Sequence, residues 1–219
     1  MAIITMRIFI ILTIFFLPFT NLFSLGAFSN VSFIIGCSSL FFLYKRIRLD
    51  YFALALILIL ILIFVGDVNS LIFLSDEKIA FVDVVTLRLF VFYFLFLFVI
   101  YQQMRLEPQL VFKCYIYAFY AACIYGLIDF MLMNLFNIKL DEYFYRFSVQ
   151  ENSGTISNII RNRSFFSEPG HFAFYLNSSI FFILAINKSC SNRLVNLKLA
   201  LSLYFLSILT TFSAAGIVF

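Results

Sequence analysis

Seven apolar runs separated by shorter polar intervals make up most of this chain: Ile8–Phe23, Leu25–Tyr44, Tyr51–Val65, Ile79–Tyr101, Leu110–Phe136, Gly170–Ile186 and Leu197–Phe219. A helix needs about 20 apolar residues to cross the hydrocarbon core of a bilayer. Most of the runs approach that length, and Tyr51–Val65 is short for it. Several are apolar all round rather than along one stripe, as suits helices in lipid or in the middle of a bundle. The pattern predicts an all-α fold: a polytopic α-helical membrane protein with about seven transmembrane helices, forming one integral membrane domain over residues 1–219. Two polar intervals stand out, Gly66–Lys78 and the longer Asn137–Pro169. The last run ends in TFSAAGIVF without a polar tail, so the chain is expected to be the N-terminal part of a longer protein.

Composition supports lipid as the solvent. Of 219 residues, 64% are hydrophobic and 12% charged, with a mean hydropathy of +1.06. Soluble domains carry about 25% charged residues. The net charge of +4 does not point to nucleic acid, because the basic residues sit in short intervals between apolar runs. With the N-terminus inside, the inner intervals hold Arg7, Lys45, Arg46, Arg48, Arg105, Lys113, Lys188, Arg193 and Lys198 against Asp50 and Glu107. The outer intervals hold Lys78, Arg88, Lys139, Arg146, Arg161 and Arg163 against Asp67, Asp76, Glu77, Asp83, Asp141, Glu142, Glu151 and Glu168. That asymmetry is the positive-inside signal, and it places residues 137–169 in a long outer-face loop. An uncleaved first span fits the N-terminus better than a signal peptide, since no clear A-x-A site follows. Cys37, Cys114, Cys123 and Cys190 form no C-x-x-C pair and read as small apolar residues.

Candidate chemistry gathers in RNRSFFSEPGH, Arg161 to His171, which contains the only histidine of the chain. Arg161 and Arg163, two apart, point to one side of an extended segment. Their planar forks of donors suit phosphate or pyrophosphate oxygens, although anchoring to lipid headgroups would use the same residues. Ser167-Glu168-Pro169 is the pattern of a helix start, so a helix is expected to run inward from Pro169 with its free N–H groups beside the arginines. Glu168, His171, Tyr175 and Ser178 then share a helical face, a polar stripe that would line a cavity. On that stripe Glu168 or His171 is a candidate general base for a hydroxyl. Capping alone would account for Glu168, and interfacial anchoring for His171.

Thr210, Thr211, Ser213, Ala214, Ala215 and Gly216 form a small-residue patch, suited to close helix contact or to one wall of a substrate crevice. Asp129 is the one acid well inside a span, where it is protonated, paired or part of a pathway. Asp83 and Arg88, five apart, lack pairing spacing. No Walker A, H-E-x-x-H or G-x-S-x-G motif is present, and a single histidine excludes a His-rich metal site.

The segment RNRSFFSEPGHFAFYLN resembles the motif of bacterial Wzy-type polymerases of O-antigen and capsular repeat units. The likeness rests on Arg163, Ser164, Phe165, Phe166, Glu168, Pro169, Phe172 and Ala173, and on the later TTFSAAGIVF from Thr210. It implies a multi-pass inner-membrane glycosyltransferase with a GT-C-like fold that contributes to lipopolysaccharide or capsule biosynthesis. The implied reaction passes a growing glycan from undecaprenyl pyrophosphate to a hydroxyl of a lipid-linked repeat unit on the periplasmic face. Arg161 and Arg163 would then neutralise the leaving pyrophosphate, Glu168 or His171 would take the proton, and Tyr175 and Ser213 would contact substrate. The partners implied are the undecaprenyl-pyrophosphate-linked oligosaccharide and the lipid bilayer, with room for a chain-length regulator. No nucleic acid, cofactor or metal is expected. Family members are considerably longer, so activity would need the remainder of the protein. An O-antigen ligase shares this architecture and donor. A flippase for lipid-linked oligosaccharides would instead show cations along the middle of several spans.

Overall fold

The computed structural model describes residues 2–18, 35–36, 38–39, 47, 49–73, 97–138, 155–156, 159–166, 169–189 and 195–212. These residues are helical apart from a small ladder and short connections. The helices are α1 (Ala2–Phe15), α2 (Tyr51–Phe73), α3 (Pro108–Phe136), α4 (Pro169–Ser189) and α5 (Leu197–Thr211). Residues 97–106 are helical as well. The ladder pairs β1 (Thr155–Ile156) antiparallel with β2 (Ile159–Ile160). Among the described residues two helices, α3 and α4, are long and apolar enough to cross a membrane. The chain divides into two compact units, Met1–Thr13 with Phe33–Val111 and Ile14–Ser32 with Phe112–Phe219.

In the first unit α1 starts earlier than its apolar run predicts and ends sooner. It takes in Arg7, whose guanidinium donates to Glu107 Oε1 through Nη2 at 2.9 Å and Nε at 3.1 Å. Paired in this way, the charge does not have to lie in a loop. A turn closed by Leu17 N–H to Ile14 O (3.3 Å) follows α1, and Pro18, which has no N–H and disfavours helix at the residue before it, comes next. Helix α2 corrects a second expectation. It does not stop at Val65 but continues to Phe73 through residues expected to form an outer loop. Gly66 costs a helix only about 1 kcal/mol, and no proline interrupts the stretch.

Asp50 caps the start of α2. Its Oδ1 accepts from Ala53 N–H at 2.9 Å, while Oδ2 accepts from Arg105 Nη1 at 2.7 Å and from the Tyr101 hydroxyl. Ala53, Leu56 and Phe98 form a small core beside it. The helix of residues 97–106 runs on past Tyr101, and only Glu107 separates it from α3.

In the second unit α3, α4 and α5 surround a core of Ile116, Phe119, Phe172, Leu176 and Ile183. Phe112 packs on Phe182 with centroids 5.6 Å apart, and the Tyr115 hydroxyl meets Ser179 Oγ at 2.8 Å. These pairs set α3 and α4 antiparallel, with Pro169 at about the level of Tyr125. The 29 residues of α3 therefore run past the start of α4 from Gly126 to Phe136, about 16 Å at 1.5 Å per residue. The 21 residues of α4 span about 31 Å, close to the hydrocarbon thickness.

The final apolar run was expected to form a span to Phe219, but α5 ends at Thr211. Phe212 adopts a left-handed φ of 44° and its N–H reaches back to Leu209 O. The hydroxyls of Thr210 and Thr211 bond to Ser207 O and Ile208 O, each at 2.8 Å. Cys114 and Cys123 are buried and free, as small apolar residues would be.

Candidate functional site

The RNRSFF segment is where the second unit concentrates its polar contacts. Asn134, near the end of α3, grips Ile160 with both atoms of its amide: Nδ2 donates to Ile160 O (2.9 Å) and Oδ1 accepts Ile160 N–H (2.8 Å). Four residues later Ser164 Oγ donates to Ala122 O at 2.7 Å. The chain thus descends along α3 from Asn134 to the level of Ala122. This part of residues 137–169 was expected in an outer polar loop, yet Asn162 and Ser164 are each 1% exposed and Phe165 is 5% exposed. Non-helical backbone at such a position survives only where protein satisfies its polar groups.

Helix α5 supplies the other wall. Asn162 N–H donates to Thr210 O (2.9 Å), Asn162 Nδ2 to Thr210 Oγ1 (2.8 Å), and Arg161 Nε to Thr211 O (2.9 Å). The segment therefore caps the C-terminal carbonyls of α5. Arg161 also places a cation at the negative end of that helix dipole.

Gly126 permits the close approach on α3: a Cβ there would lie 2.7 Å from Asn162 Oδ1 and 3.0 Å from Ser164 Cβ. Ser164 then turns the chain toward α4. Its φ is 50°, its N–H is held by Asn162 Oδ1 at 3.1 Å, and Phe166 N–H closes the turn onto Arg163 O at 3.0 Å. The Phe165 ring stacks on Tyr125 at 3.9 Å, and Phe166 packs against Phe172 and Tyr175.

Arg163 is half-buried between these elements. Burial pulls its guanidinium below the ordinary value, and the charge of Asp129 works against this. Asp129 is 2% exposed, and its Oδ1 accepts no hydrogen bond from the described residues. Arg163 and Asp129 are brought together only by the fold, being 34 positions apart in number.

The helix expected to start at Pro169 does so. The polar stripe along it divides. His171 and Ser178 lie on its exposed face with Phe174 and Phe181, and the Ser178 hydroxyl bonds back to Phe174 O at 2.8 Å. Tyr175 turns inward with Asn177 and Ser179, and Asn177 Oδ1 accepts from the Tyr204 hydroxyl at 2.6 Å. The single cavity-lining face over His171, Tyr175 and Ser178 is therefore corrected: a helical face is wide, and only its Tyr175 edge meets the core. Glu168 and Ser213 lie outside the described residues.

Sequence reasoning missed Asn134, Gly126 and Asn162. An asparagine and a glycine within an apolar run were the available signals, since both permit backbone to approach a helix. Among the described residues no cluster of His, Cys, Asp and Glu could hold a metal ion. Compared with family models, curated proteins and solved structures, the chain matches none.

Proposed function

We infer that this chain belongs to a multi-pass inner-membrane glycosyltransferase of GT-C-like fold with about seven spans in these residues. Its N-terminus is cytoplasmic, and it polymerises undecaprenyl-pyrophosphate-linked repeat units into O-antigen or capsular polysaccharide. The observation that carries this reading is the Arg161–Phe166 segment, held at the start of α4 by bonds to Thr210, Thr211 and Ala122. A half-buried arginine, Arg163, in an ordered segment that leads into a helix N-terminus favours an anionic ligand.

In the reaction, the acceptor hydroxyl oxygen bonds to the anomeric carbon of the donor glycan. The bond from that carbon to the pyrophosphate oxygen breaks, and pyrophosphate leaves with the electron pair. Arg163 offsets the charge that develops on it, while Arg161 fastens the segment to the end of α5. Glu168 takes the hydroxyl proton and Ser213 contacts the glycan, while His171 on the exposed face of α4 and Tyr175 in the core take no part.

The test is Arg163→Ala and, separately, Glu168→Ala in the full-length gene, with the surface glycan resolved on a gel. Loss of one electrostatic contact to a leaving group costs about 10²–10³ in rate, so the long-chain ladder should collapse. A normal ladder in both variants would remove the assignment.

A further inference from the structure

Two buried polar atoms on the outer part of α3, Tyr125 Oη and Asp129 Oδ1, have no hydrogen-bond partner among the described residues. They stand one helical turn apart and so share a face. Arg163 interacts with the Asp129 charge, and Phe165, two residues on, stacks on the Tyr125 ring. The Tyr125 ring packs on Phe165, but neither its hydroxyl nor the Asp129 carboxyl fastens α3 to the Arg161–Phe166 segment, which is held through Gly126, Ala122 and Asn134. A buried carboxylate oxygen without a donor is costly wherever a ligand does not supply one.

The chemistry of the three groups is selective. Asp129 offers an acceptor, Tyr125 a hydroxyl that can donate or accept, and Arg163 a fixed cation. Inorganic phosphate would suit Arg163 but be repelled by Asp129. A neutral sugar would suit Asp129 and Tyr125 but gain nothing from the charge of Arg163. A sugar hydroxyl next to a phosphate meets all three.

We propose that Tyr125 and Asp129 form a subsite for a ring hydroxyl of a glycosyl phosphate whose phosphate lies toward Arg163. Phe165, stacked on Tyr125, covers the subsite in the ligand-free form and shifts when the sugar enters. The proposal rests on the polymerase reading for its natural ligand, which is the sugar joined to the pyrophosphate. It makes Tyr125 and Asp129 readers of that sugar.

Dicyclohexylcarbodiimide, which reaches carboxyl groups from an apolar phase, tests it on the full-length protein in nanodiscs. The adduct on Asp129 is quantified by peptide mass spectrometry with no addition, with inorganic phosphate, and with glucose 1-phosphate and galactose 1-phosphate. Asp129 should label in the free protein. At least one glycosyl phosphate should suppress labelling roughly tenfold, and phosphate should have little effect. Tyr125→Phe should weaken that protection. No adduct in the free protein, no protection by either sugar, or equal protection by phosphate would each overturn the subsite. The glycan ladder of Arg163→Ala reports separately. Sugar-specific protection with a normal ladder in both Arg163→Ala and Glu168→Ala removes the polymerase reading and leaves the subsite. A collapsed ladder without protection does the reverse.

Discussion

Gly126 and Asn162 make the tightest fit in the second unit. A methyl at 126 would fall 2.7 Å from Asn162 Oδ1, well inside van der Waals contact. Gly126→Ala should therefore push the amide off Thr210 and Ser164, at about 1–3 kcal/mol for an overpacked site. Asn162→Ala should cost a similar amount, because it removes bonds of 2.8 Å and 3.1 Å. Since both changes act on one contact, the double variant should lose less than the sum of the two. Thermal melting of the four proteins in detergent checks this, and strict additivity would show that the amide is not what the methyl strikes. The sequence displayed the arginines on either side of Asn162 but not its role, because an asparagine between charges looks like any loop residue. Its function depends on Thr210, 48 positions away.

At the scale of elements, helix ends were harder to read than helix interiors. The start of α4 was legible because Pro169 suits a first turn. The stop of α5 was not, because the apolar run continues unbroken while the last carbonyls are taken by Asn162 and Arg161. The start of α2 carries a consequence for acid stability. The Tyr101 hydroxyl bond, followed by the Ala53 N–H, holds the Asp50 carboxyl below its ordinary value of 3.8. A depressed value means the folded form gains stability above the ordinary aspartate range and loses it as the pH falls through the lowered value. Melting temperature in detergent should thus drop as the pH falls through and below the ordinary aspartate range, and the drop should be shallower in Asp50→Asn. An identical acid profile in the variant would show that another carboxylate carries the effect.

At the scale of the whole molecule, the charge asymmetry makes a prediction about orientation. A reporter active only in the periplasm should work when fused at Asn152 and stay silent at Lys45. The opposite result would invert the orientation and move the Arg161–Phe166 segment to the cytoplasmic side. Composition and the spacing of apolar runs were enough for a helical chain with stretches fit for lipid, because both follow from hydrophobicity summed over local windows. The positions of α3 and α4 could be read in this way to within a few residues. The descent of residues 160–166 along α3 could not, nor could the approach of Arg163 to Asp129 or the division of the polar stripe at Tyr175. Each of these depends on which distant backbone groups need partners, and that need arises only once the helices have packed.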